Sequence, residues 1–307
     1  MLHYEFPLVP FLFATALSVN GLRKRSLSPS GAAAAFLTGI SMLSLPLRTP
    51  GISLIVFYLL GSRATRAGRT KKATLEDGHD GAGAGYRTAA QVFSNSASAL
   101  AATLLWGALH APGFPGARAA FVPDVWCPLD RAMSAGWSCA LLFVILGHFA
   151  CCLGDTLASE LGILSRSPPL LLTTLQRVPP GTNGALSTVG TAASIAGGAV
   201  MGLTMWGTLV AENTVCRAQA GPLFEELLAW GALAGGAGSL LDSLLGATLQ
   251  QTQYSETRKR ILIDTAAPPD PDDDEKLKIV SGIDVLTNNQ VNLISSALTA
   301  LALAHVA

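Results

Sequence analysis

The chain has 307 residues, half of them apolar and only 13% charged, with a mean hydropathy of +0.44. Soluble domains carry about twice that share of charge, so water is not the main solvent of this surface. Twenty basic and twenty acidic residues leave no net charge, which excludes a global field for nucleic acid and confines basic character to local patches.

Residues 1–10 contain Glu5 but no Arg or Lys ahead of the first apolar run. They resemble neither the basic start of a signal peptide nor a transit peptide, and the first span is expected to serve as the targeting signal. A membrane helix needs about 20 mainly apolar residues. Runs approaching that length occur at 6–22, 31–47, 50–61, 89–110, 133–153, 185–210, 227–249 and 291–306. The sequence therefore predicts an all-α, polytopic membrane bundle of about eight helices, forming one domain over 1–307. The count falls to seven if 50–61 is the second half of a helix kinked at Pro46 and Pro50.

Charge arbitrates between the two. With eight spans, the loops after spans one, three, five and seven hold sixteen Arg and Lys residues and the opposite face holds four. Merging spans two and three would put the Arg23 and Arg63 clusters on opposite faces, against the positive-inside rule. Eight spans leave both termini away from the cytosol. Gly197, Gly198 and Gly202, and Gly231, Gly235 and Gly238, allow close helix contact within lipid. The loop 251–288 contains a Pro- and Asp-rich insertion at 264–275 that cannot bury a core and lacks EF-hand spacing. The five cysteines form no CxxC pair and have no His at ligand spacing, which argues against both a zinc site and a disulfide scaffold. Cys151 and Cys152 read as apolar filler. The lone His79 reads as a solvated loop residue, and Lys71 and Lys72 as headgroup-binding residues.

Ionisable residues inside a bilayer are costly and usually functional. Asp155 and Glu160 end span five after an almost uncharged run. On an ideal helix they stand about 140° apart, so they share one ion only if the helix breaks. The turn Gly181-Thr182-Asn183-Gly184 precedes span six and is expected to offer backbone N–H groups at a helix N-terminus, as a phosphate requires. In span seven Gly235, Gly238, Asp242 and Gly246 share one helical face. Gln91 and Asn95, and Asn288, Asn292, Ser295 and Thr299, form polar stripes opening spans four and eight. Loop parity puts all of these, with Arg87, on one face. Acids for Mg²⁺, a glycine turn for phosphate, basic residues and no Ser-His-Asp or Cys-His set point to phosphoryl transfer rather than hydrolysis. A phosphate monoester acceptor is already anionic and needs no general base.

Gly61-Ser62-Arg63, Arg87 with Gln91 and Asn95, Gly154-Asp155-Thr156 with Ser159-Glu160, Gly181-Thr182-Asn183-Gly184, Asp242-Ser243 with Gly246-Ala247-Thr248, and Asn288-Asn289 with Asn292 occur in order over nearly the whole chain. This set resembles the transmembrane protein 19 family, which includes plant phytyl-phosphate kinase. The resemblance implies a membrane enzyme that converts a prenyl or phytyl monophosphate to its diphosphate with Mg²⁺ and a nucleoside triphosphate, CTP by likeness to dolichol-type kinases. By matched position it implies that Asp155, Glu160 and Asp242 are catalytic and metal-binding. It assigns phosphate to Arg87, Gly181, Thr182, Asn183 and Gly184, and the nucleotide or polar lining to Gln91, Asn95, Asn288 and Asn292. The partners are then the nucleotide, the isoprenoid monophosphate and membrane lipids. The expected location is the endoplasmic reticulum, another endomembrane or the plastid envelope, with the motif loops cytosolic. The alternative is a transporter using the same residues near the bilayer midplane on broken helices in two repeats; a lipid-binding scaffold leaves the buried carboxylates unexplained.

Overall fold

The computed structural model describes residues 7–77, 86–112, 117, 119–262 and 276–307. The expected disordered insertion at 264–275 and His79 lie outside these residues. Within them each apolar run contains a helix. The chain passes through α1 (Leu8–Arg23), α2 (Pro29–Leu43), α3 (Thr49–Arg66), the single turn α4 (Arg69–Lys72), α5 (Ala89–Ser94), α6 (Ala97–His110), α7 (Trp137–Gly162), α8 (Thr188–Glu212), the short α9 (Thr214–Ala218), α10 (Ala220–Leu249) and α11 (Asn288–Val306). By length and apolar composition, α7 with its preceding 3-10 turn, α8 and α10 are each able to cross a membrane; α1, α2 and α6 are apolar but shorter.

The helix bounds settle two of the expected runs. The run at 50–61 is a helix of its own: α2 stops at Leu43 and α3 begins at Thr49 with Pro50 in its first turn, where the missing N–H costs nothing. The run at 89–110 is not one helix but two, divided at Asn95 and Ser96, with Asn95 in a non-helical conformation after α5.

The core is α7, packed against α8, α10, α11, α6 and α3. Leu142, Ile145, Phe149, Ala150 and Leu153 of α7 are completely enclosed, so a helix hydrophobic all round is surrounded by helices rather than lipid. Outer helices instead leave Leu12, Phe13, Leu37, Leu233 and Leu301 exposed, as a bundle in lipid should.

The loops are not purely helical or solvated. Segments distant in sequence form a four-stranded sheet in the order β1 (Glu76–Asp77), β5 (Arg260–Leu262), β4 (Thr252–Ser255), β6 (Leu277–Ser281). A second ladder pairs β2 (Leu170–Leu171) with β3 (Ala185–Leu186). The loop 251–288 thus contributes three strands beside the bundle.

The expectation of no disulfide is corrected: Cys127 and Cys216, 89 residues apart, are bonded. One stands in the long connection from α6 to α7, the other in α9. Such a pairing depends on loops meeting in space and has no spacing signature. Cys139, Cys151 and Cys152 are free and buried.

Candidate functional site

Glycine contacts set the site. A Cβ on Gly154 would stand 2.8 Å from the Gly235 carbonyl oxygen, one on Gly197 3.1 Å from Gly154 Cα, and one on Gly198 2.8 Å from Gly235 Cα. The backbones of α7, α8 and α10 therefore touch, which only small residues permit. Asp155 follows Gly154 directly, and Asp242 lies two turns beyond Gly235, so both carboxylates reach one space and interact electrostatically. Each stands seven residues before the end of its helix, about 10 Å inside it. Ser295 Oγ of α11 donates to Asp242 Oδ2 at 2.7 Å, and Ser239 Oγ to Asp155 Oδ1 at a long 3.5 Å. Asn292, one turn before Ser295, has a buried side-chain oxygen with no partner.

The glycine turn sits against this pair. Gly181 and Gly184 have φ of +91° and +73°, the left-handed region that suits glycine. A Cβ on Gly181 would press on Glu76, and one on Gly184 would collide with the Ser243 carbonyl and Ala247 of α10. The turn does not form the start of a helix, as its sequence suggested. Strand β3 intervenes, and Ser187 caps α8 by accepting from Gly190 N at 3.0 Å. Two of the turn's amides are already engaged, Thr182 N with Pro179 O and Asn183 N with Thr252 Oγ1. Positive helix dipole ends do open here, from α8 at Ser187 and from α11 at Asn288, whose start is fixed by a capping box of Thr287 and Gln290.

Arg87 is tied to the start of α2 through Ser28 N donating to its carbonyl at 3.1 Å. Its Nη1 donates to Ser62 Oγ at 2.7 Å and its guanidinium lies 5.8 Å over the Tyr58 ring. Burial lowers its pKa, opposed by Tyr58 and Glu160; a guanidinium nonetheless stays charged. Thr88 caps α5, and Asn95 Nδ2 closes it by donating to Gln91 O.

Glu160 does not join the two aspartates. Helix α7 is unbroken, so the angular separation holds, and Glu160 instead pairs with Lys72 at 2.5 Å. Lys72 is 1% exposed and also donates to the carbonyls of Ala64 and Thr65. This corrects two expectations: Lys72 is an internal tether rather than a headgroup contact, and the described residues contain no group of three His, Cys, Asp or Glu side chains able to hold a metal. A Cys-His contact does occur, Cys152 Sγ to His148 Nε2 at 3.8 Å, but both are enclosed in the core and neither lines the cavity.

The polar residues expected from sequence border one cavity of about 700 Å³. At its polar end stand Arg87, Gln91, Asn95, Asp155, Glu160, Gly181, Thr182, Asn183, Gly184, Asp242, Asn288 and Asn292, the residues expected from sequence. The apolar end was not anticipated in detail: it runs between α1, α2 and α3, past Leu17, Ala35, Gly39, Leu43, Leu54 and Phe57. Nothing in the sequence distinguishes these from lipid-facing residues.

The family model for "Integral membrane protein DUF92" matches residues 12–300. The chain is 33% identical to Protein PGR of Arabidopsis thaliana over 294 residues, covering 94% of this chain and 91% of that protein. It is 27% identical to an uncharacterized membrane protein of Synechocystis over 74% of this chain and 73% of that one. It is 35% identical to an uncharacterized membrane protein of Methanocaldococcus jannaschii over 38% and 43% respectively. No solved structure matches. With the match covering nearly its full length, the chain belongs to the DUF92 family of integral membrane proteins.

Proposed function

We propose that this protein is a membrane lipid kinase that moves a phosphoryl group from a nucleoside triphosphate, CTP by preference, to a prenyl or phytyl monophosphate. The carrying observation is the form of the cavity: an end bearing Arg87, two aspartates and several amides is continuous with an apolar limb inside the bundle. Such a space suits an amphiphile with a charged head. The acids lie near one helix end rather than at midspan, and α7, α8 and α10 are continuous, which favours headgroup chemistry over a midplane transport site.

In the reaction a non-bridging oxygen of the monophosphate attacks the γ-phosphorus. The bond to the β–γ bridging oxygen breaks, and the nucleoside diphosphate leaves with that electron pair. The nucleophile is anionic throughout, so no side chain has to remove a proton. Asp155, Asp242 and the open Asn292 oxygen line the same cavity and would hold Mg²⁺, which takes one or two carboxylates together with substrate phosphates. The metal would neutralise charge on the phosphates. Arg87 and the dipole ends of α8 and α11 favour phosphate at the same level, while Gln91, Asn95 and Asn288 supply amides to the nucleotide side. Glu160, held by Lys72, adds a favourable charge near Arg87. The sixteen basic residues at this end support a cytosolic orientation, and the disulfide at the other end supports an oxidising compartment there.

The test supplies labelled CTP, ATP, GTP or UTP with Mg²⁺ and phytyl or geranylgeranyl monophosphate to the purified protein in detergent. Labelled diphosphate, most rapidly from CTP, is expected. A folded sample that makes none across several prenyl lengths contradicts the kinase and favours transport.

A further inference from the structure

Beyond the headgroup chemistry, the shape of the apolar limb carries information about the tail. The lining of the limb is drawn from α1, α2 and α3, and its extent can be followed along α2. The start of that helix is at headgroup level: a Cβ on Gly31 would collide with the Arg87 carbonyl, and Ser28 N bonds the same oxygen. Leu43, the last residue of α2, is also a lining residue. Twelve residues of helix separate Gly31 and Leu43, a descent of about 18 Å, and Gly39 lies about 12 Å down. At the bottom Leu43 folds onto Gly51, where a Cβ would approach its side chain to 2.5 Å. Phe57, braced against Phe149 with ring centroids 5.8 Å apart, forms part of the wall. The upper limb is kept open by small residues, Ala14, Ala35 and Gly39.

We propose that this limb is a length gauge for a single-chain lipid phosphate, with Gly39 holding the channel open at mid-depth and Leu43 setting its floor. The inference rests on the lipid-phosphate reading of the polar end, but adds that a two-chain phospholipid is excluded and that tail length is selected at named positions. One limb has room for one chain, and its depth suits a tail of farnesyl to geranylgeranyl length. A pocket discriminates apolar groups by whether each carbon finds space, which is worth about tenfold or more per removed or excluded group. The floor therefore matters more than the entrance. At Gly39 a Cβ would meet Ala14 Cβ at 3.5 Å, an ordinary contact, so a larger side chain is housed at the expense of the limb.

The experiment uses the full chain in detergent, with Gly39→Leu and Leu43→Ala beside the unmodified protein. Geranyl, farnesyl and geranylgeranyl monophosphates compete in the transfer assay, and each is also scored by its thermal stabilisation of the protein. Gly39→Leu should lower the geranylgeranyl-to-farnesyl ratio of kcat/KM by about tenfold, and Leu43→Ala should raise it. The stabilisation series should shift in the same directions, and phosphatidic acid should not compete. Equal changes for all three tails, or competition by phosphatidic acid as strong as by geranylgeranyl monophosphate, would overturn the gauge. Length-graded stabilisation that moves with the variants, without any diphosphate, would retain the gauge and refute the kinase. Should Gly39→Leu fail to fold, Leu43→Ala alone decides, since removing atoms from the floor cannot block the channel.

Discussion

The two ends of the bundle are built from the same helices but finished in opposite ways. At one end Cys127 and Cys216 are bonded, and Glu212 accepts from Arg48 N and from Thr49 Oγ1. Asn213 Nδ2 there donates to the Trp126 carbonyl, and Trp106, His110, Phe121 and Trp126 form a ring cluster, edge to face except for the tilted Trp106–His110 pair. At the other end two aspartates face one space, the Asn292 oxygen has no partner, and a cavity of about 700 Å³ opens among the helices. The crosslinked end holds the helices together, while the other end gathers two facing carboxylates beside a cavity, which is where chemistry needs them. Strain and cost are concentrated at functional sites and offset elsewhere in a fold.

The comparison predicts separable effects. The largest belongs to the open end: Asp242→Asn should lower transfer by about a thousandfold, near 4 kcal/mol, with little loss of thermal stability. Steady-state assay and melting of one preparation check both halves. Next is Cys127→Ser, which should destabilise by about 3 kcal/mol while turnover at low temperature stays within about twofold. Unfolding with and without reductant measures it, and a large activity loss would show that the ends are coupled. Lys72→Met should cost about 2 kcal/mol because it leaves Glu160 unpaired in a mostly enclosed place. It should also raise KM more than it lowers kcat, since it frees the Glu160 charge beside Arg87, and adding Glu160→Gln should recover part of the stability. The smallest effect is Thr49→Val at the closed end, about 1 kcal/mol for the bond donated to Glu212, because Thr208, which also donates to Thr49, keeps the Thr204 and Met205 carbonyls as acceptors; kinetics should be unchanged.

Sequence made the polar residues of the site legible because antiparallel spans fix which loops share an end. Once Arg23 and Arg63 had to lie together, Asp155, Asp242 and the Gly181–Gly184 turn followed. The geometry around Glu160 was half legible: helical angle separated it from Asp155, but Lys72 as its partner depends on the turn at Gly68 bringing α4 back onto α7, which no local pattern announces. The sheet was not legible, because Glu76–Asp77 pairs with a strand near Arg260, and strands this short have no periodicity of their own. The apolar limb escaped for a different reason. Gly39 and Leu43 have the composition of a lipid-facing or packing surface, and only the placement of α1 and α3 makes them a cavity.

The most direct test of the account is single-turnover transfer from labelled CTP to geranylgeranyl monophosphate by the unmodified protein and by Asp155→Asn, in the same micelles and at matched folded fractions. The account predicts labelled diphosphate from the first and, within the same time, about a thousandfold less from the second, with Mg²⁺ required throughout. Equal transfer by both proteins would contradict the placement of the chemistry at the carboxylate pair.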